Sequence, residues 1–364
     1  MSGADPALRR LTEQVLGASA HGTPLRITGG GTKDFYGEPP RGERLDLGAL
    51  AGISSYEPSE LVVSARAGTT LAAVEAAIAE AGQCLPFEPP RFAPGGTIGG
   101  MVASGLTGPA RASVGSLRDY VMGASLLNGR GELLHFGGQV MKNVAGYDVS
   151  RLLAGSWGIL GIVCEVSLKV MPRPPATATL SFACDESEAL ARLRRWSAEA
   201  LPLTASSWQE GCLKIRLAGA ESAVSAAEAR LGGTRESAPA AAAWWNALRD
   251  QTDAFFHPSP AELAGGDALW RISLPVIAAP LALPGRQLIE WGGALRWWRT
   301  SLGAAEVRAT ASRCGGHATL VRAADKSSGA FARPSEAIMR LHRRLKMAFD
   351  PAGIFNPGRL YADL

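Results

Sequence analysis

The chain has 364 residues, 46% of them hydrophobic and 19% charged, with a formal net charge of +4. That is the profile of a globular protein long enough for two or three cores, and the charge is too small to imply a nucleic-acid partner. No RNP-like aromatic motif, zinc-finger spacing or basic tract points to such a partner either.

The opening "MSGADPALRRLTEQVL" lacks a long apolar core and reads as a short amphipathic helix, not a signal peptide. No apolar run reaches the ~18 residues of a membrane span, so the expected compartment is the cytoplasm. From residue 25 to about 172 short strands alternate with glycine turns. "LRIT" (25–28), "RLDL" (44–47) and "ELVVSARAG" (60–68) predict strands, and "TTLAAVEAAIAEAG" (69–82) predicts a helix capped by Thr69 or Thr70 and stopped by Gly82. Residues 120–136 predict a hairpin turning on Asn128-Gly129. In "GIVCEVSLKVMP" the alternation sets Ile162, Cys164, Val166, Leu168 and Val170 on one side.

"PRPPATAT" (172–179) marks a boundary. Beyond it, strand 177–182, helix 186–200, strands 204–209 and 212–218, and helix 220–231 predict an antiparallel α+β layer. A helix over 241–256 follows, then strands in "LWRISL", "LIEWGGALRWW" and "HATLVRA". The last helix begins at Ser335 and carries Ile338, Leu341, Leu345 and Phe349 at near-helical spacing, with Pro351 as its stop. The expected organisation is therefore 1–175, 176–330 and a returning C-terminal segment, 331–364.

Glycine is the compositional outlier, with 43 residues. "RITGGGTKDF" (26–35) fits neither GxGxxG nor Walker A: Asp34 stands where a third glycine belongs, and Lys33 follows Thr32. What remains is a nest of successive backbone N–H groups for an anion, with Lys33 nearby. "APGGTIGGMVASG" (93–105) would add close backbone approach and a helix start, and "RASVGSLRDYVMG" (111–123) is a third such segment. One glycine turn alone means little; three suggest a ligand with a pyrophosphate and extended rings. The five cysteines (Cys84, Cys164, Cys184, Cys212, Cys314) are odd in number and never form CxxC. That argues against disulfides, zinc or an iron–sulfur cluster, and no metal site is expected.

These glycine segments, with "VMKNVAGYDVSRLLAGSWGILGIVCEVSLKVMPRP" and "FDPAGIFNPGRL", resemble the FAD-linked oxidases of the p-cresol methylhydroxylase and vanillyl-alcohol oxidase type. Within that group the resemblance is to FAD-binding subunits of bacterial glycolate oxidase, over essentially the whole chain. It implies an α+β fold: a PCMH-type FAD-binding domain of two α/β subdomains plus an antiparallel α+β cap. It implies that Gly29, Gly30, Gly31, Thr32 and Lys33 cradle the FAD phosphates. Pro94, Gly95, Gly96, Thr97, Gly99, Gly100, Ser104 and Gly105 would form the second flavin-contacting stretch. Arg111, Gly115 and Asp119 would continue along the cofactor, Gly161-Ile162 would meet adenine, and Asn356 would return to the flavin domain. Relatives with covalent flavin often carry GGH in the first loop, where this chain has Thr32-Lys33; the implied FAD is non-covalent. The implied partners are a larger catalytic flavoprotein subunit, an iron–sulfur subunit and a small 2-hydroxy acid, with any membrane contact peripheral and through the complex.

Oxidation of a 2-hydroxy acid needs a base and a cation for the carboxylate. The larger sister subunit carries a histidine-rich metal motif in its cap; here the five histidines (His21, His135, His257, His317, His342) are isolated in sequence. His317 in "RCGGHATLVR" is the candidate base, against a purely structural role, and Arg313 or Arg322 is the candidate cation. Lys142 and Tyr147 are candidate flavin-side groups. Trp244, Trp245, Trp291, Trp297 and Trp298 read either as packing under the cap or as a subunit interface. Arg340, Arg343, Arg344 and Lys346 read as one solvated face of the last helix, or as a dock for an acidic partner. Three functional readings stay open: a flavoprotein subunit that acts only in a complex, a self-sufficient 2-hydroxy-acid dehydrogenase, and a non-catalytic scaffold.

Overall fold

The computed structural model describes residues 5–138 and 148–364. The chain divides into two compact units: Met1–Leu106, Ser116–Pro172 and Arg333–Leu364 form the first, and Thr107–Gly115 with Arg173–Ala332 form the second. Among the described residues no helix is long and apolar enough to cross a membrane.

In the first unit, Asp5 caps helix Pro6–His21 by accepting from the Ala7 amide, and Gly22 ends it in the left-handed region. Leu11 and Val15 of that helix are buried with Leu25, Leu45, Ile162 and Phe355. Strand Leu25–Thr28 runs parallel to Glu43–Asp46, and Phe355 bridges to Leu25 from the far end of the sequence. The larger sheet is antiparallel, in the order Ile53–Glu57, Val62–Arg66, Ile162–Lys169, Val121–Leu127, Leu133–Gly137, and Gln83–Cys84 pairs with Met171–Pro172 apart from it. Helix Leu71–Glu80, capped by Thr70, and helix Ile98–Ser104 bring Val74, Ile78, Ile98 and Met101 into a core with Val63, Leu126 and Val166. Each fully buried aliphatic of this kind contributes about 1.5–3 kcal/mol, which makes these two cores the main support of the unit.

Strand Ile162–Lys169 serves both cores, and it corrects the simple alternation expected of it. Its register against Val121–Leu127 slips at Cys164, which is left opposite no residue. A bulge of this kind reverses which side chains share a face. Ile162 and Cys164 therefore join the first core, whereas Val163, Val166, Leu168 and Val170 join the second. The expected two-residue hairpin turn is instead a loop over 128–132. Asn128 Oδ1 accepts from the Arg130 and Glu132 amides, and the left-handed residue is Gly131, not Gly129. Gly129 is pressed against the terminal helix, where its amide donates to Phe349 O.

The terminal helix, Glu336–Phe349, is rotated from its expected orientation. Ile338 and Leu341 are 43% and 53% exposed, while Met339 and Lys346 are buried. Lys346 is thus no part of a solvated basic face. Its ammonium donates to Asp350 Oδ2, Ile159 O and Phe355 O at 2.6–2.8 Å, which satisfies all three of its protons. Asp350 in turn accepts from the Ile354 and Phe355 amides. This polar knot fixes the C-terminal segment against strand Leu25–Thr28.

The second unit is one antiparallel sheet of eight strands, in the order Thr234–Arg235, Ala176–Ala183, Cys212–Gly219, Leu203–Gln209, Arg286–Glu290, Leu295–Thr300, Ala268–Ser273, His317–Arg322. Helices Glu186–Ser197 and Glu221–Leu231 cover one end of one face, over Leu180, Trp208, Ile215 and Ile289. Helix Ala304–Arg313 covers the other end, over Trp270, Ile272, Trp298 and Ala318. The tryptophans pack inside this unit. Trp244 Nε1 donates to Ser207 Oγ and Trp245 Nε1 to Thr179 Oγ1, and Trp291, Trp297 and Trp298 are buried. They fill and fasten the layer, with Trp244 left half-exposed.

Candidate functional site

Strand Leu25–Thr28 delivers the chain into Gly29-Gly30-Gly31, and Gly31 turns with φ 68°. The loop admits no side chain at Gly30: a Cβ there would lie 1.8 Å from Gly95 O. The second glycine segment presses on the first at this point. Thr97 then caps helix Ile98–Ser104, its Oγ1 accepting from the Gly100 amide at 3.2 Å. Between the two segments lies an open cleft.

The expected Gly29, Gly30, Gly31, Thr32, Lys33, Thr97, Gly99, Gly100, Ser104, Gly161 and Asn356 all line this cleft. Asn356 also closes it, since Oδ1 accepts from the Ile27 amide at 2.8 Å and Nδ2 donates to Trp157 O at 2.7 Å. The remaining candidates lie elsewhere. Gly95 and Gly96 buttress Gly30 from behind, beside Pro94. Gly105 ends the helix at φ 62°. Ile162 points into the first core because of the bulge, and Val163 lines the cleft in its place. Asp119 is occupied in a capping box, accepting from the Ser116 amide and hydroxyl. Arg111 and Gly115 belong to the second unit. Lys142 and Tyr147 lie outside the described residues.

Among the lining residues that the sequence reading passed over are Arg26, Trp157, Gly158 and Arg359. Trp157 stacks on Tyr36 at 5.4 Å and 14°, and the Arg359 guanidinium sits 5.0 Å from the Trp157 ring. Arg359 is buried, donates to Lys33 O at 3.0 Å and bonds Glu38 O. Burial lowers its pKa to about 10, which still leaves it charged. Lys33 is 91% buried, and its ammonium lies 5.6 Å over the Phe92 ring. Desolvation pulls its pKa down to about 8. Arg26 pairs with Asp34, and its Nε is buried with no acceptor.

Three cations and one carboxylate thus line the cleft, an excess of two positive charges. A buried ammonium held by an aromatic face, and a buried guanidinium N–H without an acceptor, are both costly unless an anion completes them. A pyrophosphate carries the matching charge, and the glycine backbone that lines the cleft is of the kind that forms a nest for one. The residues present fit the phosphates of FAD.

In the second unit, His317 opens the edge strand His317–Arg322. Partial burial, and then the charge of Arg271, hold its pKa below the ordinary histidine value. Arg313 stands in the last turn of helix Ala304–Arg313 and donates to Thr310 Oγ1 at 2.9 Å, so it is fastened to its own helix. The arginine that the sheet sets beside His317 is Arg271. Among the described residues no three His, Cys, Asp or Glu side chains gather as metal ligands would.

Comparison with known proteins agrees with this geometry. The FAD binding domain family matches residues 11–137. The solved alkyldihydroxyacetonephosphate synthase shares the fold, with a TM-score of 0.65 at 16% identity, covering 96% of this chain and 74% of that one. Glycolate oxidase subunit GlcD of Bacillus subtilis (strain 168) is 31% identical over 48% of this chain and 37% of its own length. Glycolate oxidase subunit GlcE of Escherichia coli (strain K12) is 46% identical over 97% of both chains. At that identity and coverage, the chain belongs to the family of the glycolate oxidase subunit GlcE.

Proposed function

We propose that the chain is the FAD-bearing subunit of a glycolate oxidase complex, which oxidises glycolate to glyoxylate and passes the electrons through flavin to an iron–sulfur subunit. The observation that carries this reading is the glycine-walled cleft and its excess of two positive charges, in a chain 46% identical to a glycolate oxidase subunit along nearly its whole length. FAD supplies the hydride acceptor. The protein's own part is to bind and orient it: Gly29–Lys33 on the pyrophosphate, Arg26 and Arg359 completing its charge, and Asn356 holding the two sides of the cleft together. The remaining partner is a larger flavoprotein subunit. Any membrane contact is made by the complex.

A second reading, a self-sufficient dehydrogenase, draws on one observation, the placing of His317 beside Arg271. In it His317 is the base for the substrate hydroxyl. An anaerobic visible spectrum of the purified chain with glycolate separates the two. A flavin that stays oxidised until the sister subunits are added supports the complex. A flavin bleached by glycolate in the isolated chain gives the self-sufficient enzyme. A chain purified without any flavin, and unable to take it up, sinks both.

A further inference from the structure

One face of the eight-stranded sheet is packed under helices. The opposite face carries a polar cluster that the cofactor cleft does not use. Arg271 pairs with Trp297 on one side and Thr319 on the other, and Ser273 pairs with His317. Residues two apart on a strand share a face, and paired residues stand about 4.5–5.5 Å apart. Arg271, Ser273, His317 and Thr319 therefore mark the corners of one patch.

Arg271 is half-buried. It donates to Ser273 Oγ at 3.3 Å and lies over two indoles, Trp291 at 5.1 Å and Trp297 at 6.0 Å. Among the described residues it has no carboxylate within ion-pair distance. Indole faces position a guanidinium without cancelling its charge. Trp291 is itself held in place for this contact. It sits at φ 54°, in a region that non-glycine residues avoid. Its Nε1 donates to Gly108 O at 3.0 Å, and Arg111 lies 5.0 Å from its ring. An oriented, half-buried guanidinium without a counter-ion among the described residues, beside an imidazole and two hydroxyls, suits a planar carboxylate that carries an oxygen on the next carbon.

The geometry points to a subsite for a small 2-hydroxy or 2-keto carboxylate on this face, with its carboxylate on Arg271 and its C2 oxygen on His317. The Ser273 and Thr319 hydroxyls flank the bound group. The assignment deepens the function proposed above and rests on it, since the chemistry named is that of glycolate and glyoxylate. Arg271 takes the part that the sequence reading gave to Arg313 or Arg322.

The test is a calorimetric titration of the full-length chain with oxalate, a small dicarboxylate that has no C–H for flavin to oxidise. Wild type binds it saturably, and Arg271→Met binds about thirty-fold more weakly, the loss of one charge-assisted bidentate pair. Arg271→Lys, which keeps the charge but not the fork, falls between them. Equal affinity in wild type and either variant overturns the subsite, as does a wild type that shows no saturable binding. The lysine variant keeps the packing stem and the charge, so it carries the comparison if the methionine variant fails to fold. Oxalate heat does not depend on flavin. A chain without FAD would sink the function proposed above while this titration still reads Arg271.

Discussion

The cleft of the first unit and the polar patch of the second are built from opposite materials. The cleft is made of backbone: three glycines, a neighbouring glycine segment at van der Waals distance, and cations arriving from both ends of the chain. The patch is made of side chains standing on a regular sheet, set by register alone. Backbone walls tolerate almost no substitution, because the obstacle is another backbone. Side-chain walls tolerate changes of shape and fail only when a charge or a hydrogen bond is lost. The two sites should therefore break under different mutations, and each should survive what destroys the other.

The largest effect is expected from Gly30→Ala. Its Cβ would fall on Gly95 O, and overpacking of this sort costs about 1–3 kcal/mol or more. We expect FAD to be lost during gel filtration while oxalate binding by the second unit persists. A variant that retains stoichiometric flavin would break the contrast drawn here. Next is Arg359→Ala, which removes a buried cation from the cleft. The expected cost is about 2 kcal/mol, or roughly thirty-fold in FAD affinity, read by fluorescence titration of the apo chain. An unchanged affinity would mean that Arg359 serves only the loops at Lys33 and Glu38.

Lys33 sharpens the contrast through pH. Its folded pKa of about 8 lies below the ordinary 10.5. Between those values the unfolded chain holds more protons than the folded one, so the apo chain should gain stability as pH rises from about 8. FAD affinity should run the other way. It should be constant below pH 8 and weaken by up to about tenfold per unit above it, as binding has to reprotonate the amine. Lys33→Met should abolish both slopes, and a pH dependence that survives in this variant would assign it to another group. The smallest effect belongs to Trp244→Phe, which loses the bond to Ser207. About 1 kcal/mol of stability in a urea titration, with flavin content unaltered, is the expected outcome. A fall in flavin content would show that the first unit depends on this helix.

How far the molecule can be read from its residues follows the same division. Gly29–Lys33 and Thr97–Gly100 are legible because a glycine cluster between apolar runs has few other uses. Arg26 was hidden in an ordinary strand, "LRIT", where the outward residue of an alternating pair looks merely solvated. Trp157 was hidden because a lone tryptophan among glycines does not announce a left-handed turn. Arg271 and His317 are 46 positions apart in the sequence, and only the antiparallel register brings them to one face; Arg313 lay nearer in sequence but on the wrong element. Lys346 misled for a different reason. Three acceptors that bury a lysine come from residues 159, 350 and 355, and periodicity within one helix contains no trace of them. The bulge at Cys164 likewise depends on its partner strand.

Phe355, Asn356 and Arg359 lie against Leu25, Ile27 and Lys33, with separations of 329 and 326 positions for the last two pairs. The loop that these contacts close is nearly the longest the chain can make, and such contacts form late because their closure entropy is met only once the intervening chain is ordered. One wall of the cleft is therefore set after both cores, and flavin uptake should trail the recovery of secondary structure when the chain is refolded from urea with FAD present. A chain cut by proteolysis before residue 355 should lose its colour before it loses its fold.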